Sequence, residues 1–77
     1  MKPLELKAAR VRLGYSQQDI ADLLEISIHS YHKKERGEVK FSDTEKIQVA
    51  KILGFTLEQL NYILYDGILP ISNADQA

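Results

Sequence analysis

Apolar residues recur along this chain in steps of three and four rather than two. Leu6, Ala9 and Leu13, with Arg10 beside them, fall on one helical face, and Ile20, Ala21 and Leu24 form a second stripe. Ile47, Val49, Ala50, Ile52 and Leu53 supply a third, of which Ile47, Val49, Ala50 and Leu53 read as core. Leu57, Leu60, Ile63 and Leu64 supply a fourth, read as pointing inward. No segment alternates strictly, so a strand reading is poor throughout.

Polar residues punctuate the stripes. Pro3 suits a first helical turn, where its missing N–H costs nothing, and Gly14 can stop that helix in a left-handed conformation. Ser16 reads as an N-cap with Asp19 as its capping partner, and Tyr15 and Ile20 are spaced for a hydrophobic staple. Ser27 is the next N-cap, Ile26 and Tyr31 the next staple, and the helix from Ile28 ends near Arg36, before Gly37. Ser42 with Glu45, and Thr56 with Gln59, repeat the device; Gly54 and then Asp66-Gly67 end the helices that follow. The pattern predicts an all-α protein, a compact bundle of five short helices with connections of about two to six residues.

Composition narrows the possibilities. A chain of 77 residues makes one small domain, which buries roughly 60–65% of its unfolded surface and leaves little room for a catalytic cleft. There is no Cys, hence no disulfide framework and no thiolate metal site. No apolar run approaches a membrane span, and Met1 to Lys7 lacks the apolar core of a signal peptide, so a cytoplasmic location is expected. The net charge of −1 seems to speak against nucleic acid, but it is an average over two unlike halves. Residues 1–40 carry eight Lys/Arg against six Asp/Glu, a balance of +2; residues 41–77 carry two against five, a balance of −3. No Gly-rich phosphate loop and no nucleophile–base arrangement is present, so no catalytic residue, cofactor or resident metal is expected.

The stretch Ser16 to Gly37 carries the chemistry. Two short helices separated by Glu25-Ile26-Ser27 have helix-turn-helix spacing, with Ala21 small enough for a close crossing and Ile26 apolar enough to plug the gap. In the second helix Tyr31 and Glu35 read as inward, while His29, Ser30, His32, Lys33 and Arg36 make a polar outer face that suits a major groove. Helix N-termini at Gln17 and Ile28 are placed to hold phosphates. Other readings of these residues stay open. His29 and His32 could share a metal or simply face solvent, Lys33 and Lys34 could be a solvated face, and Gln17 a mere helix-start residue.

The run Leu6-Lys-Ala-Ala-Arg10, then Gly14-Tyr-Ser-Gln17-Gln-Asp-Ile-Ala21, Ser27, Glu35-Arg-Gly37 and Val49-Ala50-Lys-Ile-Leu53-Gly54-Phe-Thr-Leu-Glu-Gln-Leu60 resembles the phage repressor/Cro-type (XRE) helix-turn-helix family. The resemblance covers about residues 4 to 65. Tyr31 to Gly37, with Phe41 and Glu45, is most similar to small regulators of Gram-positive bacteria and their prophages. It implies the five-helix, lambda repressor-like DNA-binding fold over residues 1–67, with the helix-turn-helix at about 17–36. It also implies DNA contacts by Gln17 and Ser27 to phosphate, by Ile28, His29 and Lys33 to base edges with His32 as neighbour, and by Lys40 to phosphate. Arg10 and Glu35 match a pair that locks the first helix to the recognition helix.

Three departures stand out. Glu25 occupies a turn position commonly held by Gly, at a cost of about 1 kcal/mol for a positive φ. Lys34 replaces a large apolar residue, and Ile28, which can touch a thymine methyl but cannot hydrogen-bond, replaces a polar base reader.

The resemblance implies a sequence-specific regulator of double-stranded DNA, a Cro-like or short phage or prophage repressor, which binds its operator as a homodimer with recognition helices about 34 Å apart. The alternative is a protein-interaction role, as modulator of a second regulator or as an antitoxin. The tail at 68–77 is expected to make a dimer contact and then become flexible. Tyr62, Tyr65, Ile68 and Ile71 read either as core or as an exposed patch for a partner.

Overall fold

The computed structural model describes residues 1–68. Five helices account for most of them: α1 (Pro3–Arg12), α2 (Gln17–Leu24), α3 (Ile28–Glu35), α4 (Asp43–Leu53) and α5 (Leu57–Leu64). No strand occurs among the described residues. The starts of the helices follow from side-chain chemistry. Ser16, Ser42 and Thr56 each accept the backbone N–H three residues on, while Asp19, Glu45 and Gln59 reach back to the N–H of the cap, so three reciprocal capping boxes open α2, α4 and α5. Ser27 caps α3 alone, accepting from the Ser30 amide at 3.0 Å.

The ends share one device. The N–H groups of Tyr15, Ile26, Glu38 and Phe55 return to the carbonyls of Arg10, Ala21, Lys33 and Ala50, each across a residue with positive φ. That residue is Gly14, Gly37 or Gly54 in three cases, and Glu25 (φ 59°) between α2 and α3. A side chain in this conformation costs about 1–2 kcal/mol, part of which Gly gives back as unfolded-chain entropy. Glu25→Gly is therefore expected to raise stability by about 0–1 kcal/mol in urea titration; a loss beyond that range would show that the Glu25 side chain contributes to the turn.

Leu6 and Ala9 of α1, Ile20, Ala21 and Leu24 of α2, Tyr31 of α3, Phe41, Val49, Ala50 and Leu53 around α4, and Leu60, Ile63 and Leu64 of α5 make one core. Tyr31 and Phe41 meet as tilted rings with centroids 6.1 Å apart, and Ile26 packs against the core from the turn. Helix α2 lies against α3 and α4, and α1 against α5 and α3.

Three expected core positions are corrected. Leu13 (53% exposed) is the C-cap of α1 and lies past the end of the buried stripe. Ile47 (40% exposed) stands roughly 110° around α4 from the direction set by Val49, Ala50 and Leu53. Leu57 (65% exposed) opens α5, where the helix overhangs the core. At the other end of α5, Tyr62 and Ile68 are exposed and Tyr65 is half-buried. Lys2 and Lys46 place their ammonium groups 4.4 and 4.3 Å from the Tyr62 and Tyr65 ring centres. Ile71 and the tail beyond Ile68 lie outside the described residues.

Candidate nucleic-acid interface

One buried carboxylate braces the helix pair. Glu35 (3% exposed) accepts from Arg10 Nε at 2.6 Å and the Tyr31 hydroxyl at 3.0 Å on Oε1, and from Arg10 Nη2 at 3.3 Å and Gln17 Nε2 at 2.8 Å on Oε2. Arg10 (7% exposed) donates its remaining terminal nitrogen, Nη1, to the Tyr15 carbonyl at 2.8 Å. Helices α1, α2 and α3 thus meet at a single ion pair with satisfied polar atoms; among the described residues no buried side-chain donor or acceptor lacks a partner.

Burial pushes the Glu35 carboxyl up, but the hydrogen bonds from Arg10, Gln17 and Tyr31 and the Arg10 charge outweigh it and hold its pKa below the ordinary value. Burial, then the Glu35 charge, raises the Tyr31 hydroxyl, which stays a donor. The sign for stability follows. A carboxyl with a depressed folded-state pKa contributes stability that is fully present above its unfolded value of 4.5 and is lost as pH falls through the folded value. Urea-unfolding free energy is expected to be flat from pH 7 to about 5 and to fall below about 4.5. A profile that rises on acidification would contradict the ionised Glu35.

Glu45 behaves alike. Burial raises it and is outweighed by Lys34, whose Nζ lies 2.7 Å from both carboxylate oxygens, and by the Ser42 amide. Lys34 therefore ties α3 to the start of α4 instead of packing as the apolar residue expected there. Sequence reading missed this tie because nothing in the spacing links positions eleven residues apart across a turn.

The brace leaves the other side of α3 outward. Ile28 and His29 are exposed, and Ser30, His32 and Lys33 are half-buried. The i, i+4 rows place His29 and Lys33 together along the middle of the outer face, with Ile28 and His32 along its α2 border. Lys33 and the exposed Lys40 form no ion pair among the described residues, whereas Arg36 is paired with Glu38. Ser27 is exposed, its hydroxyl donating to Ser30 Oγ at 3.0 Å. Gln17 does not project freely from α2. Its amide spans from Glu35 to His32, whose Nδ1 lies 3.2 Å from Gln17 Oε1. Sequence spacing gave no hint of this second connection.

The arrangement is chemically suited to a polyanion with readable edges: two unpaired lysines, two imidazoles, a hydroxyl and one apolar contact on a helix whose tilt is fixed from behind. Among the described residues no three His, Cys, Asp or Glu side chains gather as metal ligands, and no helix is long and apolar enough to cross a membrane. A family model described as a helix-turn-helix domain matches residues 4–62. No curated protein and no solved structure matches the chain.

Proposed function

The chain belongs to the helix-turn-helix domain family, and on that premise we propose that it is a sequence-specific regulator that binds double-stranded DNA in the manner of a phage repressor or Cro protein. The observation that carries this reading is the asymmetry of α3. Its inner side is held by Glu35, Tyr31 and Lys34, while Ile28, His29, His32 and Lys33 are left on the outer side.

In this reading α3 enters the major groove, with Ile28, His29 and Lys33 toward base edges and His32 beside them. The backbone N–H groups at the start of α2, the Gln17 amide hydrogen not given to Glu35, Ser27 and Lys40 face phosphates on either side. Such a unit covers too little DNA to bind tightly alone, so the protein acts as a homodimer on a palindromic operator, in the cytoplasm and by binding rather than catalysis. The exposed aromatic and aliphatic side chains at the end of α5, Tyr62 and Ile68, are the surface offered for self-association.

The test is selection of binding sites from random duplex DNA, followed by titration of the preferred site with the native chain and with His29→Ala/Lys33→Ala. A palindromic consensus with half-site centres one helical turn apart is expected, and the double variant should bind it about 100-fold more weakly, each lost contact costing about 1–3 kcal/mol. Absence of any enriched sequence at low salt would refute the reading.

A further inference from the structure

Glu35 leaves the Gln17 amide one way to face. An ionised carboxylate only accepts hydrogen bonds, so the nitrogen of the amide must point to it, as the 2.8 Å Nε2–Oε2 contact has it. The amide oxygen is then turned to His32. Because that oxygen only accepts, His32 Nδ1 at 3.2 Å must carry a hydrogen. In the neutral ring the other nitrogen, Nε2, is consequently an acceptor. That nitrogen has no partner among the described residues, and no buried polar side-chain atom is unsatisfied, so Nε2 is open to solvent on the α2 border of the recognition face.

We propose that His32 is a specificity-determining residue whose hydrogen-bonding polarity is set inside the protein, with Gln17 as its positioning residue, and that it selects an exocyclic amino group in the major groove. Only adenine N6 and cytosine N4 present such a donor there; guanine shows acceptors alone, and thymine an acceptor and a methyl group. Ile28, one turn earlier on the same border, meets the same or the adjacent base pair, where a thymine methyl is the apolar partner. This assignment rests on the DNA-binding reading above. It differs from a phosphate role for Gln17 because the side chain is committed at both ends of its amide, to Glu35 and to His32.

Two measurements test it. The first needs no DNA: long-range proton–nitrogen spectra of the full chain in the neutral range, for the native protein, Gln17→Met and His32→Ala. The His32 signals, identified by their loss in His32→Ala, should report a hydrogen on Nδ1. Gln17→Met keeps the chain length and packing but neither polar end, and should return His32 to the mixed tautomers of His29, which makes no hydrogen bond among the described residues. A hydrogen on Nε2 in the native ring, or no change in Gln17→Met, overturns the proposal.

The second is site selection with the same three proteins, each verified as folded by its thermal transition. One position per half-site should favour adenine or cytosine by about tenfold in the native protein. His32→Ala and Gln17→Met should both bring that position near parity while leaving the others intact. A guanine preference there, or no position that responds to His32→Ala, overturns it. If no sequence is selected by any protein, the DNA-binding reading fails and the base-reading role with it, while the first measurement still reports the tautomer.

Discussion

Arg10→Ala is expected to destabilise the protein by about 3–5 kcal/mol, the usual cost of leaving a buried charge without its partner. The pair is not a surface contact to be discounted for solvent: its side chains are 8% and 4% exposed. A domain of this size holds only about 5 kcal/mol in total, so the variant should be largely unfolded at 37 °C, its thermal midpoint lowered by roughly 15–30 °C.

The pH dependence gives an independent check, because its sign reverses. The native protein loses stability below about pH 4.5 as Glu35 is forced to protonate. Without the guanidinium, burial is left as the dominant influence, and the folded-state pKa of Glu35 rises above its unfolded value. Stability then grows as pH falls through that raised pKa, so the gap between variant and native protein narrows toward pH 4. Calorimetry from pH 4 to 7 reads both effects. A loss under 1 kcal/mol at pH 7 would mean that the helix pair is held by apolar packing alone.

The second large effect concerns salt. Lys34 and Arg36 are engaged by Glu45 and Glu38, so the phosphate contacts assigned to each protomer fall to Lys33, Lys40, Gln17, Ser27 and the amides opening α2. With about 6–10 phosphates neutralised per dimer, log affinity should fall against log salt with a slope of about −5 to −9, a loss of 10³–10⁵ between 50 and 200 mM. Fluorescence anisotropy with the selected duplex measures it. Lys40→Ala should make the slope shallower by about 2 per dimer and weaken all sequences alike, whereas His29→Ala should alter base preference and leave the slope in place. A slope shallower than −2 would contradict groove binding flanked by phosphate contacts.

Helix starts were legible because a Ser or Thr at a cap has few other reasons to stand three residues before Asp, Glu or Gln. Tyr31 and Glu35 were legible as inward because the residues around them were polar. Leu13, Ile47 and Leu57 were misplaced for a shared reason. Periodicity gives the face of an ideal helix but not where its neighbours stop, and these residues sit past or beside the covered stretch. The Gln17–His32 link and the Lys34–Glu45 tie were illegible because polar pairs joined through a turn have no periodic signature. They depend on the angle between helices, which follows from the packing of Ala21, Ile26 and Tyr31.

The three reciprocal capping boxes have a consequence in time. Each fixes the first turn of a short helix through contacts within four residues, which is the slow, unfavourable step of helix formation. The connections are brief and the helices pack chiefly on near neighbours in sequence, so little loop-closure entropy precedes the core contacts, and such topologies fold in microseconds to milliseconds. A domain with so little stability to spare opens often; one that recloses this quickly spends each opening too briefly for a protease to cut or a second chain to aggregate with it.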